Sequence, residues 1–159
     1  MFFRLAFFDA CVYIKKYNKI LNLSAYSIIF DYINTHEITE LGRRLVTWLM
    51  VFHGVFAADT FIEALDFNNT FTAAYIVNTE PLQLRGRHWV AIIQEPGVRF
   101  EIFDPLGHGP WEYANFNIFN AVAFNSHKLR NPLTNTSGHI SLLHLYFRSR
   151  GYSFRYAIK

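Results

Sequence analysis

The sequence predicts an α+β domain, and three observations predict it. Apolar residues recur at helical spacing in some stretches and form short buried runs in others. The two kinds of stretch are mixed without regular βαβ alternation. The length of 159 residues, 52% of them hydrophobic with 17 Phe and 9 Tyr, suits one compact core rather than two domains or a disordered chain.

Taken in order, residues 10–34 carry one or two helices, with Asn22 and Ser24 as a break. Residues 37–52 read as a helix whose charged face holds Glu37, Glu40, Arg43 and Arg44 and whose apolar face holds Leu41, Leu45, Trp48 and Leu49. Asn68 to Thr72 is turn-like, and AYIVN (74–78) is a buried strand. HWVAIIQ (88–94) and RFEIFD (99–104) are the clearest strands and flank Glu95-Pro96-Gly97. Pro96 suits a type I turn and Gly97 a following left-handed position. If residue 94 pairs with 98, His88 faces Asp104 directly across the hairpin. A two- or four-residue loop makes that pair diagonal instead. PLGHGP (105–110) is a loop, residues 111–126 a helix, and LRNPLTNTSG (129–138) another loop. A helix from His139 to Arg150 is closed by Gly151, and YSFRYAI (152–158) is a terminal strand.

Several function classes are excluded or disfavoured. The single cysteine, Cys11, permits neither an intramolecular disulfide nor a multi-cysteine zinc site. His139 and His144 are five apart, no HExxH motif occurs, and no Gly-rich phosphate loop is present, so no metal or cofactor is expected. The start, MFFRLAFFDACVYIKK, is interrupted by Arg4 and Asp9, against a signal peptide. The apolar run LVTWLMVFHGVFAA (45–58) has 14 residues, short of the roughly 20 a spanning helix needs. An intracellular protein outside the membrane is the expectation. Net charge is +3, but residues 81–159 hold nine Lys/Arg against four Asp/Glu, and no acid follows Glu112. Lys128, Arg130, Arg148, Arg150, Arg155 and Lys159 give a basic end that suits phosphate or an acidic partner, or is a solvated helix face and tail.

A histidine and an aspartate held across a hairpin suggest a base and its orienter. The third member would be a nucleophile at a helix N-terminus, where free N–H groups stabilise an oxyanion. Ser137-Gly138 stands at such a place, and Gly138 would admit a substrate backbone. The plain alternatives are a helix-capping serine, a strand histidine and an aspartate that starts a turn.

Four segments in order carry a family resemblance: GVFAAD (54–59), YIVNTEPLQLRGRHWVAI (75–92), FDPLG (103–107) and NPLTNTSGHISLLHLYFRSRGYSF (131–154). Over about residues 53–158 the chain resembles the adenovirus-type cysteine endopeptidases (adenain) and their relatives in Polinton/Maverick-type transposons and viruses. The resemblance implies one domain over 1–159, with a central mixed sheet flanked by helices as in the ubiquitin-like proteases. It implies His88 as general base, Asp104 as its orienter, Trp89 as the residue after the catalytic histidine, and residue 137 as nucleophile. Two positions depart from the family: Ser137 stands where it has cysteine, and Arg130, with Asn131 beside it, where it has an oxyanion-hole glutamine. A hydroxyl is far harder to ionise than a thiol, so the chain as written is expected to be very weak or inactive, a pseudoenzyme. Decay of a natural copy and a deliberate block both give serine; the Arg130 departure favours decay. The resemblance further implies a polypeptide substrate in capsid maturation, DNA and a short peptide as activators, and a location in the host nucleus or virion. Lys128, Arg148, Arg150 and Arg155 are the candidate DNA contacts. A non-catalytic domain binding peptide or DNA is the alternative.

Overall fold

The structure, a computed structural model, describes residues 33–46, 49–84, 86–97, 99–113, 121–129 and 136–157. The helices expected over 10–34 therefore lie outside the described residues except for Ile33 and Asn34, which are not helical, and Trp48, Arg130 and Asn131 lie outside them too.

Helix α1 (Thr35–Leu45) starts at a capping box. The Asn34 side chain accepts from the Glu37 N–H, and the Glu37 carboxylate accepts from the Asn34 N–H, both at 3.0 Å. Glu37 in the first turn and Arg43 and Arg44 in the last complement the helix dipole. Ile38, Leu41 and Leu45 form its buried face. The helix ends seven residues before its predicted end at 52, because the apolar run continues as strand β1 (Val51–Ala57). Val51, Phe52, Val55 and Phe56 are β-branched or aromatic, and pairing with a neighbouring strand outweighs continued helix. Leu49, expected on the buried face, is 61% exposed. Gly54, at φ 135°, serves the register shift in β1.

Strands β2 (Ala73–Asn78), β3 (Trp89–Glu95), β4 (Arg99–Phe103) and β5 (Ala121–Phe124) complete a sheet in the order β1-β2-β3-β4-β5. The inner pairs are antiparallel and the two edge pairs parallel. β2 is buried along its whole length because both sheet faces are covered. Ala74, Ile76, Trp89, Ala91, Ile93 and Phe103 face α1 and helix α2 (Ser137–Ser149). On the other face Tyr75, Val77, Val90, Ile92 and Ile102 pack with Phe61. There the Tyr75 hydroxyl bonds to Gln94 at 3.1 Å, and burial, with Asp66 nearby, pushes the phenol up to about 12. The architecture is α+β, with α1 and α2 together on one face of the sheet.

Three expectations are corrected. The β3/β4 hairpin closes at Glu95–Arg99 rather than at residues 94 and 98, with Gly97 at φ 90°. The described part of 111–126 is not the expected helix: a 3₁₀ turn (Pro110–Glu112) stands at its start, and Ala121–Phe124 pairs with the open edge of β4. Residues 152–158 hold a short helix, α3 (Phe154–Ala157), rather than a strand. Its Phe154 ring meets the His144 ring edge-on at 5.4 Å.

Helix α2 starts at Ser137, two residues before its predicted start, and stops as expected. Gly151, at φ 82°, donates to the Arg148 carbonyl, and Tyr152 N–H donates to the Phe147 carbonyl. The Phe147 and Tyr152 rings close this Schellman end at 5.5 Å. Arg148 reaches back to β4 in a two-armed ion pair with Glu101; the side chains are 17% and 9% exposed. Among the described residues no helix is long and apolar enough to cross a membrane.

Arg148→Ala leaves Glu101 largely buried without its countercharge. Urea unfolding should show a loss of about 3 kcal/mol, and Arg148→Lys should recover only part of it, because an ammonium lacks the two-armed geometry.

Candidate active site

The hairpin delivers the two candidate side chains to one end of the sheet. His88 immediately precedes β3, and Asp104 immediately follows β4. Ala91 pairs with Phe103, so continuing the register places His88 opposite Leu106 and diagonal to Asp104. The pair is diagonal with a three-residue loop, because the loop sits one residue further along than the sequence suggested. The side chains still meet: His88 Nε2 lies 2.6 Å from Asp104 Oδ1. Both residues are buried, Asp104 completely.

Asp-Pro-Leu-Gly matches the residue preferences of a type I turn. Gly107 N–H donates to the Asp104 carbonyl at 2.8 Å, and Leu106 N–H donates to Asp104 Oδ1 at 2.7 Å. Gly107, at φ 74°, runs so close to His127 and Lys128 that a Cβ would lie 2.7 Å from the His127 backbone. Asn125, just beyond β5, accepts from Asp104 N–H at 2.7 Å and donates to its carbonyl at 2.5 Å. The second carboxylate oxygen, Oδ2, accepts from the Tyr113 hydroxyl at 2.5 Å. Complete burial alone would raise the Asp104 pKa. The hydrogen bond and charge of His88, then the Tyr113 hydroxyl and Leu106 N–H, outweigh burial and hold it below the usual value.

Pro105 has a second effect. The β4 register would bring it opposite Trp89, and proline has no N–H to offer. The backbone groups of Trp89 are closed instead by two serines one turn apart on α2. Trp89 N–H donates to Ser137 Oγ at 3.1 Å, and Ser141 Oγ donates to the Trp89 carbonyl at 3.0 Å. Ser137 is therefore not the cap of its helix: Thr136 holds that position, and Ser137 is the first helical residue. Its hydroxyl, 1% exposed as a residue, lies against the backbone of the residue after His88.

Gly138 sits at a close-packed position. A Cβ there would lie 2.7 Å from Ile33 Cγ2 and 2.9 Å from Ile38 Cδ1, so the missing side chain is what seats α2 against α1. His139 is largely buried with no hydrogen bond at either ring nitrogen; burial lowers its pKa despite Glu37 nearby. His144 stacks flat on Phe103 at 4.1 Å. No cluster of three metal-ligating side chains exists among the described residues.

Two of the candidate phosphate contacts also make contacts within the fold. Arg148 is committed to Glu101 and the Tyr152 carbonyl. Arg150 lies 3.6 Å over the Tyr146 ring and donates to the Leu45 carbonyl. Lys128, Arg150 and Arg155 are exposed. Sequence reasoning missed Tyr113, Asn125 and Ser141. The polar residue ending the AVAFN stretch was the one usable signal for Asn125, and no spacing points to the other two.

No protein-family model matches the chain, and no curated protein does. Seven chains of solved structures match. One is the central domain of the uncharacterized Lpg1148 protein from Legionella pneumophila, at 16% identity and a TM-score of 0.48. That match covers 81% of this chain and 82% of the other.

Because the Asp104 pKa is lowered in the fold, its ionisation stabilises the protein fully above its ordinary 3.8. That contribution is lost as pH falls through the folded value. Urea titrations across pH should therefore show Asp104→Asn less stable than the parent at pH 6, with the gap narrowing as the solution is acidified below pH 4.

Proposed function

We propose that the chain is a peptidase-type domain of the adenain-like kind whose nucleophile seat holds Ser137. The carrying observation is the arrangement of the dyad. His88 bonds through Nε2 to a buried carboxylate at 2.6 Å, and the residue-137 side chain lies against the backbone N–H of the next residue, Trp89. With Nε2 on Asp104, Nδ1 is the nitrogen that would serve the nucleophile. The chemistry is acyl transfer. His88 takes the proton of residue 137 as it attacks the peptide carbonyl. It then returns the proton to the leaving amine, and water hydrolyses the acyl-enzyme in the same way. In the first turn of α2, the residue-137 N–H has no acceptor within its helix and supports the oxyanion. A cleft of about 160 Å³, lined by Thr35, Asn78, Pro81, Leu82, Gly86 and Trp89, gives a polypeptide a place beside the β3 end.

Serine at this seat makes the domain very weak. Its Oγ is held as an acceptor, and a site built around a longer C–S bond places Oγ short of the carbonyl. The same hydrogen bond favours the second reading, a non-catalytic domain that retains the cleft and binds peptide. A DNA activator would be held by the exposed Lys128, Arg150 and Arg155 rather than by Arg148, which is paired with Glu101. The short activating peptide and a nuclear or virion location rest on the family resemblance.

Cleavage of Gly-containing peptides decides between the readings. Ser137→Cys should turn over where the parent does not, and adding Arg130→Gln should raise kcat by up to about 100-fold through an oxyanion donor. Both variants folded yet inert would leave the binding reading. On the DNA side, affinity at low salt should fall as salt rises, and Lys128→Ala with Arg155→Ala should flatten that slope.

A further inference from the structure

The Asp104 carboxylate is held from two sides, and the catalytic reading uses only one. Oδ1 takes His88 and the Leu106 N–H, whereas Oδ2 takes the Tyr113 hydroxyl at 2.5 Å. Behind Tyr113 stands a second histidine. His108 Nδ1 is 3.1 Å from the Tyr113 hydroxyl and 3.6 Å from Asp104 Oδ2, and the His108 side chain is 42% exposed. The Tyr113 ring also lies nearly parallel to that of His88, with centroids 6.4 Å apart.

One hydroxyl proton has two possible acceptors here, Asp104 Oδ2 and His108 Nδ1. The ionised carboxylate wins, because a charge-assisted bond is shorter and stronger than a neutral one. The Tyr113 oxygen then accepts from His108, whose Nδ1 must carry a proton. The result is a directed chain from an exposed imidazole, through a phenol, to a buried carboxylate and the proposed base. Several described residues stand around it. His88 comes from the entry to β3, Asn125 from beyond β5, and Glu112 is turned to the Gly109 N–H.

We propose that Tyr113, with His108 behind it, is a positioning residue that keeps the Asp104 carboxylate ionised and aligned on His88. This rests on the catalytic reading of the His88–Asp104 pair, and it concerns side chains that the family pattern did not supply. Without the Tyr113 hydroxyl, a fully buried carboxylate oxygen loses its hydrogen-bond donor. The carboxylate then protonates more readily and gains freedom to turn away from the imidazole.

The test uses the chain as written, so it does not depend on cleavage. The Asp104 carboxyl carbon is followed by ¹³C NMR against pH, and the His88 ring nitrogens through their carbon-bound protons. Tyr113→Phe keeps the ring packed in the core and should move the Asp104 protonation midpoint to higher pH. It should also shift the His88 nitrogen resonances away from a single Nε2–H tautomer. His108→Gln, a surface change, should move both in the same sense by less. Unmoved Asp104 and His88 signals in folded Tyr113→Phe would overturn the proposal. If that variant does not fold, unmoved signals in His108→Gln would remove His108 from it. In the Ser137→Cys background, Tyr113→Phe should move the acid limb of kcat upward in pH with KM unchanged. Cleavage with unmoved NMR midpoints sinks the positioning role alone. Moved midpoints without cleavage sink the peptidase reading alone.

Discussion

Most of the site follows from where β4 has to stop. Pro105 cannot donate to a ladder, so β4 ends at Phe103 and its next residue turns out of the sheet. That one termination does three things. It frees the Asp104 side chain to serve His88 rather than pack in a sheet face. It starts the turn whose Leu106 and Gly107 N–H groups hold Asp104 in place. It also leaves the N–H and C=O of Trp89 without a strand partner, and an unpaired buried backbone group costs about 1–3 kcal/mol. Helix α2 answers that last need with Ser137 and Ser141, and this fixes the start of α2 beside the histidine.

The charges tell a similar story of internal use. The basic character of the last third of the chain suggested an open cationic surface. Part of it is used inside the fold, with Arg148 tying α2 to β4, while Arg150 lies over Tyr146 and stays exposed. A formal charge excess is therefore a poor measure of the field a phosphate would meet, because a paired arginine contributes little beyond its partner.

The sequence made β2, β3, β4 and the end of α2 legible because each has an unambiguous local signal. Two periodicities, a Pro-Gly turn and a helix followed by glycine are enough. His88 and Asp104 were legible as a pair because residues of equal parity around a hairpin share a face. A shift of the loop by one residue leaves that parity intact. The boundary between α1 and β1 was not legible, because an uninterrupted apolar run fits a buried helix or a buried strand equally well. β5 was hidden for another reason. Its short AVAF has no strong preference of its own, and the open edge of β4 decides its conformation. Tyr113 and Asn125 reach Asp104 only through the folded path of the chain, which spacing along the sequence does not encode.

The bond between Trp89 N–H and Ser137 Oγ has an evolutionary side. A hydroxyl oxygen is a better acceptor than sulfur, so serine at this seat closes the sheet end more firmly than cysteine would. Under the peptidase reading proposed above, loss of reactivity and gain of stability then come from a single atom. A lineage that has exchanged sulfur for oxygen here must give up that firmness to return. Each later change tuned to the tighter seat raises the barrier, and the step acts as a ratchet.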